Sequence, residues 1–373
     1  MPVNAHIAIP HALLPSDGRF GSGPAKINDT SLASAAPFVG TSHRRDPIKS
    51  MVGRIREGLA DLYRLPDGYE VMLGVGGATA FWDAAVFGLI ERRSAHFVCG
   101  EFSEKFAATV ASAPHLDEPE LVEAAPGWAP EPVAVEGVDV AAFIHNETST
   151  GVVAPFGRLT EALVVVDGTS AAGAIAYQVD SADVYYCSPQ KALGSEGGLW
   201  IAIVSPAAID RINTVASSGR WIPPFLSLAT ALENSRKDQT YNTPALVTLH
   251  LLDRQLAALG DLGGLAWAAE RSRDSSQRLY SWADAHPRAS AFVRDPSLRS
   301  PTVVTVDLAD EIDAALVAST LRANGIVDTE SYRKLGRNQL RIATFPNIDP
   351  DDISALTACI DFVLDHLDRD STN

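Results

Sequence analysis

The sequence predicts an α/β fold with a mainly parallel sheet, followed by a small α+β unit at the C-terminal end. Three observations carry that expectation. Short apolar runs alternate with longer helical stretches along most of the chain. Polar residues sit immediately after several of those runs. After Pro301 the pattern changes to strands and amphipathic helices of a different order. With 373 residues, 46% of them hydrophobic, the chain can bury two cores. We expect a large domain over 17–260 and a small one over 261–373, joined by residues 1–16.

The elements follow in order. Residues 69–73 read as a strand, then come glycines and a helix from about Thr79. Residues 141–144 form a second strand, ending at His145-Asn146-Glu147-Thr148. Residues 163–166 are a buried-type strand ending at Asp167, and 184–187 another, ending at Ser188-Pro189-Gln190-Lys191. Residues 199–204 are a fifth. Ligands in open α/β sheets bind beyond the carboxyl ends of strands, so these end residues can converge on one site. Residues 245–285 read as helical, broken near Gly260 and Gly263-Gly264. Residues 302–306 are a strand. Ile312, Leu316, Ser319 and Ala323 fall on one helical face, with Asp310 as N-cap and Gly325 as stop. Residues 339–343 are a strand carrying Arg341. The last helix takes Asp349 as N-cap and Pro350 at its first position. Its apolar residues Ile353, Leu356, Ile360, Val363 and Leu367 keep three/four spacing.

Composition excludes several classes. The net charge of −16 disfavours nucleic acid, and an anionic ligand would need a local cluster of cations. Cys99, Cys187 and Cys359 are odd in number and widely spaced, which suits reduced thiols and no metal site. Residues 1–14 lack a basic segment followed by a long apolar one, and no run of eighteen apolar residues occurs. The expected location is the cytoplasm, with no membrane partner.

Five segments carry chemistry. Gly74-Val75-Gly76-Gly77-Ala78-Thr79 lets backbone N–H groups meet a phosphate at a helix N-terminus, although alone it is no more than a tight turn. Asp167, at the end of a buried strand, needs a cation or hydrogen-bond donors; alone it is equally an N-cap. Lys191 follows a buried strand, where lysines are rare. A strand-end Asp followed 24 residues later by a strand-end Lys gives both a common explanation: a pyridinium partner and an imine to pyridoxal phosphate. Ser42-His43-Arg44-Arg45 concentrates cations in an acidic chain and suits a carboxylate or phosphate. Thr240-Tyr241-Asn242-Thr243-Pro244 reads alone as a helix-start turn, Arg341 as a surface residue and Phe102 as core.

In this order, and with Phe20-Gly21-Ser22-Gly23-Pro24 and Asp167-Gly168-Thr169-Ser170, the segments resemble the phosphoserine aminotransferase family of fold-type I pyridoxal-phosphate enzymes. The likeness spans residues 20–343. It implies a large transferase domain with a seven-stranded sheet and a homodimer with shared active sites. It implies that Lys191 carries the cofactor and Asp167 pairs with its ring nitrogen. Ala78, Thr79 and Gln190 would hold its phosphate, Thr148 its ring oxygen, and Phe102 its ring face. Asn242 and Thr243 would reach the phosphate from the other subunit. Ser22, His43, Arg44 and Arg341 would bind substrate.

Two departures stand out. Phe102 occupies a stacking position that is usually Trp, and Thr79 stands where some members have Arg. The implied reaction transfers an amino group between L-glutamate and the phosphorylated keto acid 3-phosphohydroxypyruvate. The resemblance extends to the phosphorylated intermediate of pyridoxine synthesis. An alanine- or serine-glyoxylate aminotransferase would not need the cluster His43-Arg44-Arg45. A cysteine desulfurase would need a mobile Cys, and a non-catalytic binding protein would not need Lys191 with Asp167.

Overall fold

The computed structural model describes residues 7–371, with side chains through Leu367. The first six residues of the expected N-terminal segment lie outside it. The first α-helices among the described residues are the short α1 (Asp29–Ala33) and α2 (Ile48–Tyr63), which precede strand β1 (Glu70–Val75). Helix α3 (Gly77–Gly88) leads to β2 (Ser94–Val98), and α4 (Glu101–Ala111) to β3 (Glu120–Glu123). Strand β4 (Val140–Ile144) runs into a two-residue hairpin pair, β5 (Asn146–Glu147) and β6 (Val152–Val153). Then come β7 (Leu163–Asp167), β8 (Val184–Cys187) and β9 (Leu199–Val204), followed by α5 (Pro206–Ser217) and α6 (Leu228–Ser235). Two long helices, α7 (Leu246–Leu262) and α8 (Gly264–Ala285), lead to β10 (Ala289–Ala291) and β11 (Val303–Leu308). The chain closes with α9 (Ala314–Ala323), β12 (Gln339–Ala343) and α10 (Pro350–Ser371).

The large sheet has seven strands in the order β1-β9-β8-β7-β4-β2-β3. Only β9 runs against its neighbours, β1 and β8; the other pairs are parallel. Alternate side chains feed opposite faces. Val164 and Val166 of β7 pack under α2 and α7, while Leu163 and Val165 pack under α3 to α6. The expected α/β class with a mostly parallel seven-stranded sheet is therefore found. Pairing places Asp167 beside Tyr186, so the ends of β7 and β8 open at one point.

The small sheet, β10-β11-β12, is antiparallel and packs with α8, α9 and α10. Ile9 from the N-terminal segment joins that same core, and so do Phe20 and Ala25, which lie within the range expected for the large domain. The small sheet is also tied to the large one where the site lies. Thr305 Oγ1 donates to the Thr150 carbonyl (2.8 Å) and Thr302 Oγ1 to the Ser170 carbonyl (2.9 Å).

One expectation fails at α9. The helix begins at Ala314, its cap is Asp313 rather than Asp310, and Asp313 accepts from Ala315 N (2.9 Å). The later start rotates the buried stripe to Ala314, Val317, Ala318 and Leu321, leaving Ser319 and Ala323 exposed. Asn338 Oδ1 accepts from Ala314 N and fixes that start. Asp349 does cap α10, accepting from Asp351 N at 2.9 Å.

Candidate active site

Turns beyond the strand ends and one small-domain strand surround a cavity of about 360 Å³, a size that suits a small cofactor. Lys191, four residues past β8, enters it almost wholly buried (6% exposed) and donates from Nζ to Thr148 Oγ1 at 2.7 Å. Burial lowers its amine from 10.5 to about 8; the nearby Asp167 charge opposes the fall and Arg341 adds to it. Asp167 is buried at the end of β7 and accepts from Thr169 N at 2.8 Å. Burial pushes its carboxyl up, against the hydrogen bonds from Thr169 and the Lys191 charge. At 5.3 Å from Lys191 Nζ lies the Phe102 ring centroid.

Beneath the cavity, the N-terminus of α3 follows Gly76, whose φ of +118° only glycine adopts readily. Ala78 and Thr79 lie in its first turn and line the cavity. Gly23 lines it too; a Cβ there would lie 2.9 Å from Lys191 Cε, so glycine admits the lysine. Arg341 reaches in from β12, with Nη1 3.4 Å from the Thr148 carbonyl and its guanidinium over Tyr332.

Five cavity residues hold a buried polar atom with no partner: Ser22 Oγ, Asn146 Oδ1, Thr169 Oγ1, Gln190 Oε1 and Arg341 Nε. So many orphans at one place indicate a ligand rather than a flawed core. A larger groove of about 1060 Å³ lies at the C-terminal ends of α2 and α7. Its walls carry none of the strand-end groups, so the smaller cavity is the candidate site.

Lys191, Asp167, Ala78, Thr79, Phe102, Thr148, Gln190, Ser22 and Arg341 thus line one cavity. His43, Arg44, Asn242 and Thr243 do not line the cavity. Arg44 instead donates to Gln239 Oε1 (2.5 Å) and to the carbonyls of Thr240 (3.1 Å) and Tyr241 (2.6 Å). Those bonds join the 42–45 and 239–243 loops into one patch, where Arg44, Asn242 and Thr243 are exposed. His43 Nε2 is buried without a partner, and burial together with Arg44 lowers its pKa.

Sequence reasoning missed Trp82 and Tyr332. Trp82 lies four residues after Ala78, on the same face of α3, and that spacing was a usable signal. Tyr332 comes from a loop with no periodic pattern. Its ring lies 6.0 Å from Phe102. Among the described residues no group of His, Cys, Asp and Glu could hold a metal ion, and no helix is long and apolar enough to cross a membrane.

This fold and site have known counterparts. The family model for class V aminotransferases matches residues 34–329. The chain belongs to the class V aminotransferase family, whose members are pyridoxal-phosphate enzymes. It is 55% identical to a phosphoserine aminotransferase of Rhodococcus jostii, over 96% of this chain and 98% of the other. It is 56% identical to a candidate phosphoserine aminotransferase of Mycobacterium leprae, over 96% and 97%. Among solved structures, a phosphoserine aminotransferase from Cytophaga hutchinsonii matches with a TM-score of 0.85 at 21% identity, covering 92% of this chain and 99% of that one. A ureidoglycine-glyoxylate aminotransferase from Bacillus subtilis matches with a TM-score of 0.82 at 20% identity, covering 94% of each. The fold is thus shared by aminotransferases of different substrates.

The donor set fits the family's cofactor. An amine of lowered pKa suits an aldehyde, a buried carboxylate suits a pyridine nitrogen, and a helix N-terminus suits a phosphate. The orphaned Gln190 and Ser22 atoms are further polar contacts for a ligand.

Proposed function

We propose that the chain is a phosphoserine aminotransferase of serine biosynthesis, moving an amino group between L-glutamate and 3-phosphohydroxypyruvate. The products are 2-oxoglutarate and O-phospho-L-serine. The observation that carries this reading is the buried Lys191 amine beside the strand-end Asp167, in a cavity that opens on the α3 N-terminus. The choice among aminotransferases is supported by relatives so named, at 55–56% identity over nearly the whole chain.

Pyridoxal phosphate, when bound, supplies an aldehyde that takes up the amino group and a ring that spreads the electrons released at the substrate α-carbon. The residues do the rest. Lys191 Nζ would hold that aldehyde. When free, its amine would act as the base that takes the substrate α-proton and as the acid that gives it back. A pKa near 8 suits a base at neutral pH. Asp167 holds the ring nitrogen protonated, Phe102 gives its ring a stacking face, and Thr148 steadies Lys191. The first N–H groups of α3 at Ala78 and Thr79, with Gln190, hold the phosphate. Arg341 and Ser22 take the substrate carboxylate.

The His43-Arg44 and Asn242-Thr243 patch completes the site of a partner copy in a cytoplasmic homodimer. There it meets the cofactor phosphate and the distal anionic group of either substrate. The reading also carries a two-domain division near 260/261, close to the end of α7; each sheet has its own main core, although Phe20, Ala25, Ala174 and Ala192 pack with the small sheet. The test is reduction of the purified yellow protein with borohydride, followed by peptide mapping. Label is expected on Lys191. Label elsewhere, with Lys191→Ala still turning over, would refute the assignment.

A further inference from the structure

We propose that Glu147 is a positioning residue of the active site, whose buried carboxyl group registers the Phe102 ring to the Thr148–Lys191 pair. The inference rests on the aminotransferase reading and deepens it. Glu147 is fully buried. Its carboxylate accepts from the backbone N–H groups of Phe102 (3.2 Å), Ser103 (3.1 Å) and Ser149 (3.1 Å). The Ser149 hydroxyl stands 2.7 Å away, and its own lone pair is taken by Glu101 N (3.1 Å), so its proton is aimed at Glu147. The Ser103 hydroxyl, 3.1 Å away, divides between Glu147 and the Gly100 carbonyl.

The backbone N–H groups and the Ser149 hydroxyl donate to Glu147, while the Ser103 hydroxyl can give its proton to Gly100 instead; the Glu147 charge is felt by Lys191 and Arg341 across the cavity. Burial pushes the Glu147 carboxyl up, against the hydrogen bonds from Ser149 and Ser103; an amide in its place would set its NH2 against the backbone N–H groups, so the cradle selects a carboxyl group. The α4 N-terminus supplies two of the backbone donors, and its dipole favours the charge.

The cradle joins two walls of the cavity. Phe102 lies in the first turn of α4, with its ring 5.3 Å from Lys191 Nζ. Thr148, next to Glu147 in sequence, accepts the Lys191 proton at 2.7 Å. One side chain thus fixes the ring to the lysine's acceptor. The approach is tight: a Cβ at Gly100 would lie 2.6 Å from Glu147 Cγ and 2.6 Å from Ser149 Oγ. A simple helix cap would need only a serine or aspartate at the surface. A fully buried carboxylate between two cavity walls exceeds that need.

The test uses the holoenzyme of Glu147→Gln and Ser149→Ala. Three quantities are read: the circular dichroism of the bound cofactor band, the affinity of the apoprotein for pyridoxal phosphate, and kcat and KM with O-phosphoserine. In Glu147→Gln the band should lose most of its amplitude, and cofactor affinity and kcat should each fall about tenfold to a hundredfold, with KM little changed. Ser149→Ala should move the same quantities the same way by less. A Glu147→Gln protein with a lower Tm but wild-type band, affinity and kcat is merely a damaged cap and overturns the inference. If Glu147→Gln does not fold, Ser149→Ala decides: a weakened band supports it and an unaltered one overturns it. A wild-type chain that takes up no cofactor overturns the aminotransferase reading together with this inference, whereas a failure confined to the variants overturns this inference alone.

Discussion

At Lys191 the sequence and the site agree for a physical reason. A lysine directly after an apolar strand has few ways to stay solvated, so its burial could be anticipated. Asp167 was legible on the same ground. Glu147 was visible within a motif but without a role, because the donors that tie it to the cavity wall, the N–H groups of Phe102 and Ser103, lie over forty residues away in sequence. Tyr332 was hidden because its loop is placed by long-range contacts with Phe102 and Arg341.

The lowered Lys191 pKa has a measurable consequence. In the unfolded chain the amine holds its proton to about pH 10.5, and in the fold it releases it near pH 8. The unfolded state therefore binds more protons in that window, and Lys191 costs stability below pH 8, a cost that fades as pH rises through 8 to 10.5. Lys191→Met apoprotein should be more stable than wild type at pH 7, by roughly 1–3 kcal/mol, with the gap closing by pH 10. Denaturant melts of both apoproteins at pH 7 and 10 check the sign. A gap that widens with pH would contradict the shift.

Among the elements, periodicity found the central strands and overlooked two at the far side of the sheet. In β2 the polar Ser94 and His96 interrupt the apolar run, yet both are buried and bonded to each other at 3.0 Å. β3 has an acid at each end and is largely exposed, so it owes its order to pairing with β2 rather than to its own sequence. At α9 two aspartates compete for the cap position within four residues, and the one chosen is set by Asn338 across the fold. Asp313→Ala should destabilise the protein by about 1 kcal/mol, while Asp310→Ala should stay within about 0.5 kcal/mol of wild type. Thermal melts of the two variants check the assignment, and the reverse order would restore Asp310 as the cap.

On the scale of the whole molecule, the residues that the family resemblance assigns to substrate and cofactor divide into two places. One group lines the Lys191 cavity, and the other forms the exposed patch of Arg44, Asn242 and Thr243. The sequence could name both groups but not their separation within one chain, since distance in the fold leaves no mark on spacing. The proposed sharing of sites between two copies has a direct consequence in mixtures. When Lys191→Ala protein exchanges subunits with an Asn242→Ala/Thr243→Ala variant, hybrid dimers should hold one doubly damaged site and one intact site, and activity should return. Absence of recovery despite demonstrated exchange would place the patch outside catalysis.

The most direct test of the phosphoserine aminotransferase assignment is the visible absorption of the purified protein, followed after mixing with O-phospho-L-serine or L-serine. Wild type should lose its yellow band rapidly with O-phospho-L-serine and at far lower concentration than with L-serine. Arg44→Ala should weaken the phosphorylated substrate roughly tenfold to a hundredfold and leave serine nearly unaltered, as charge-assisted bonds to a phosphate require. Equal response to the two amino acids, or an Arg44→Ala protein as responsive to O-phospho-L-serine as wild type, would contradict it.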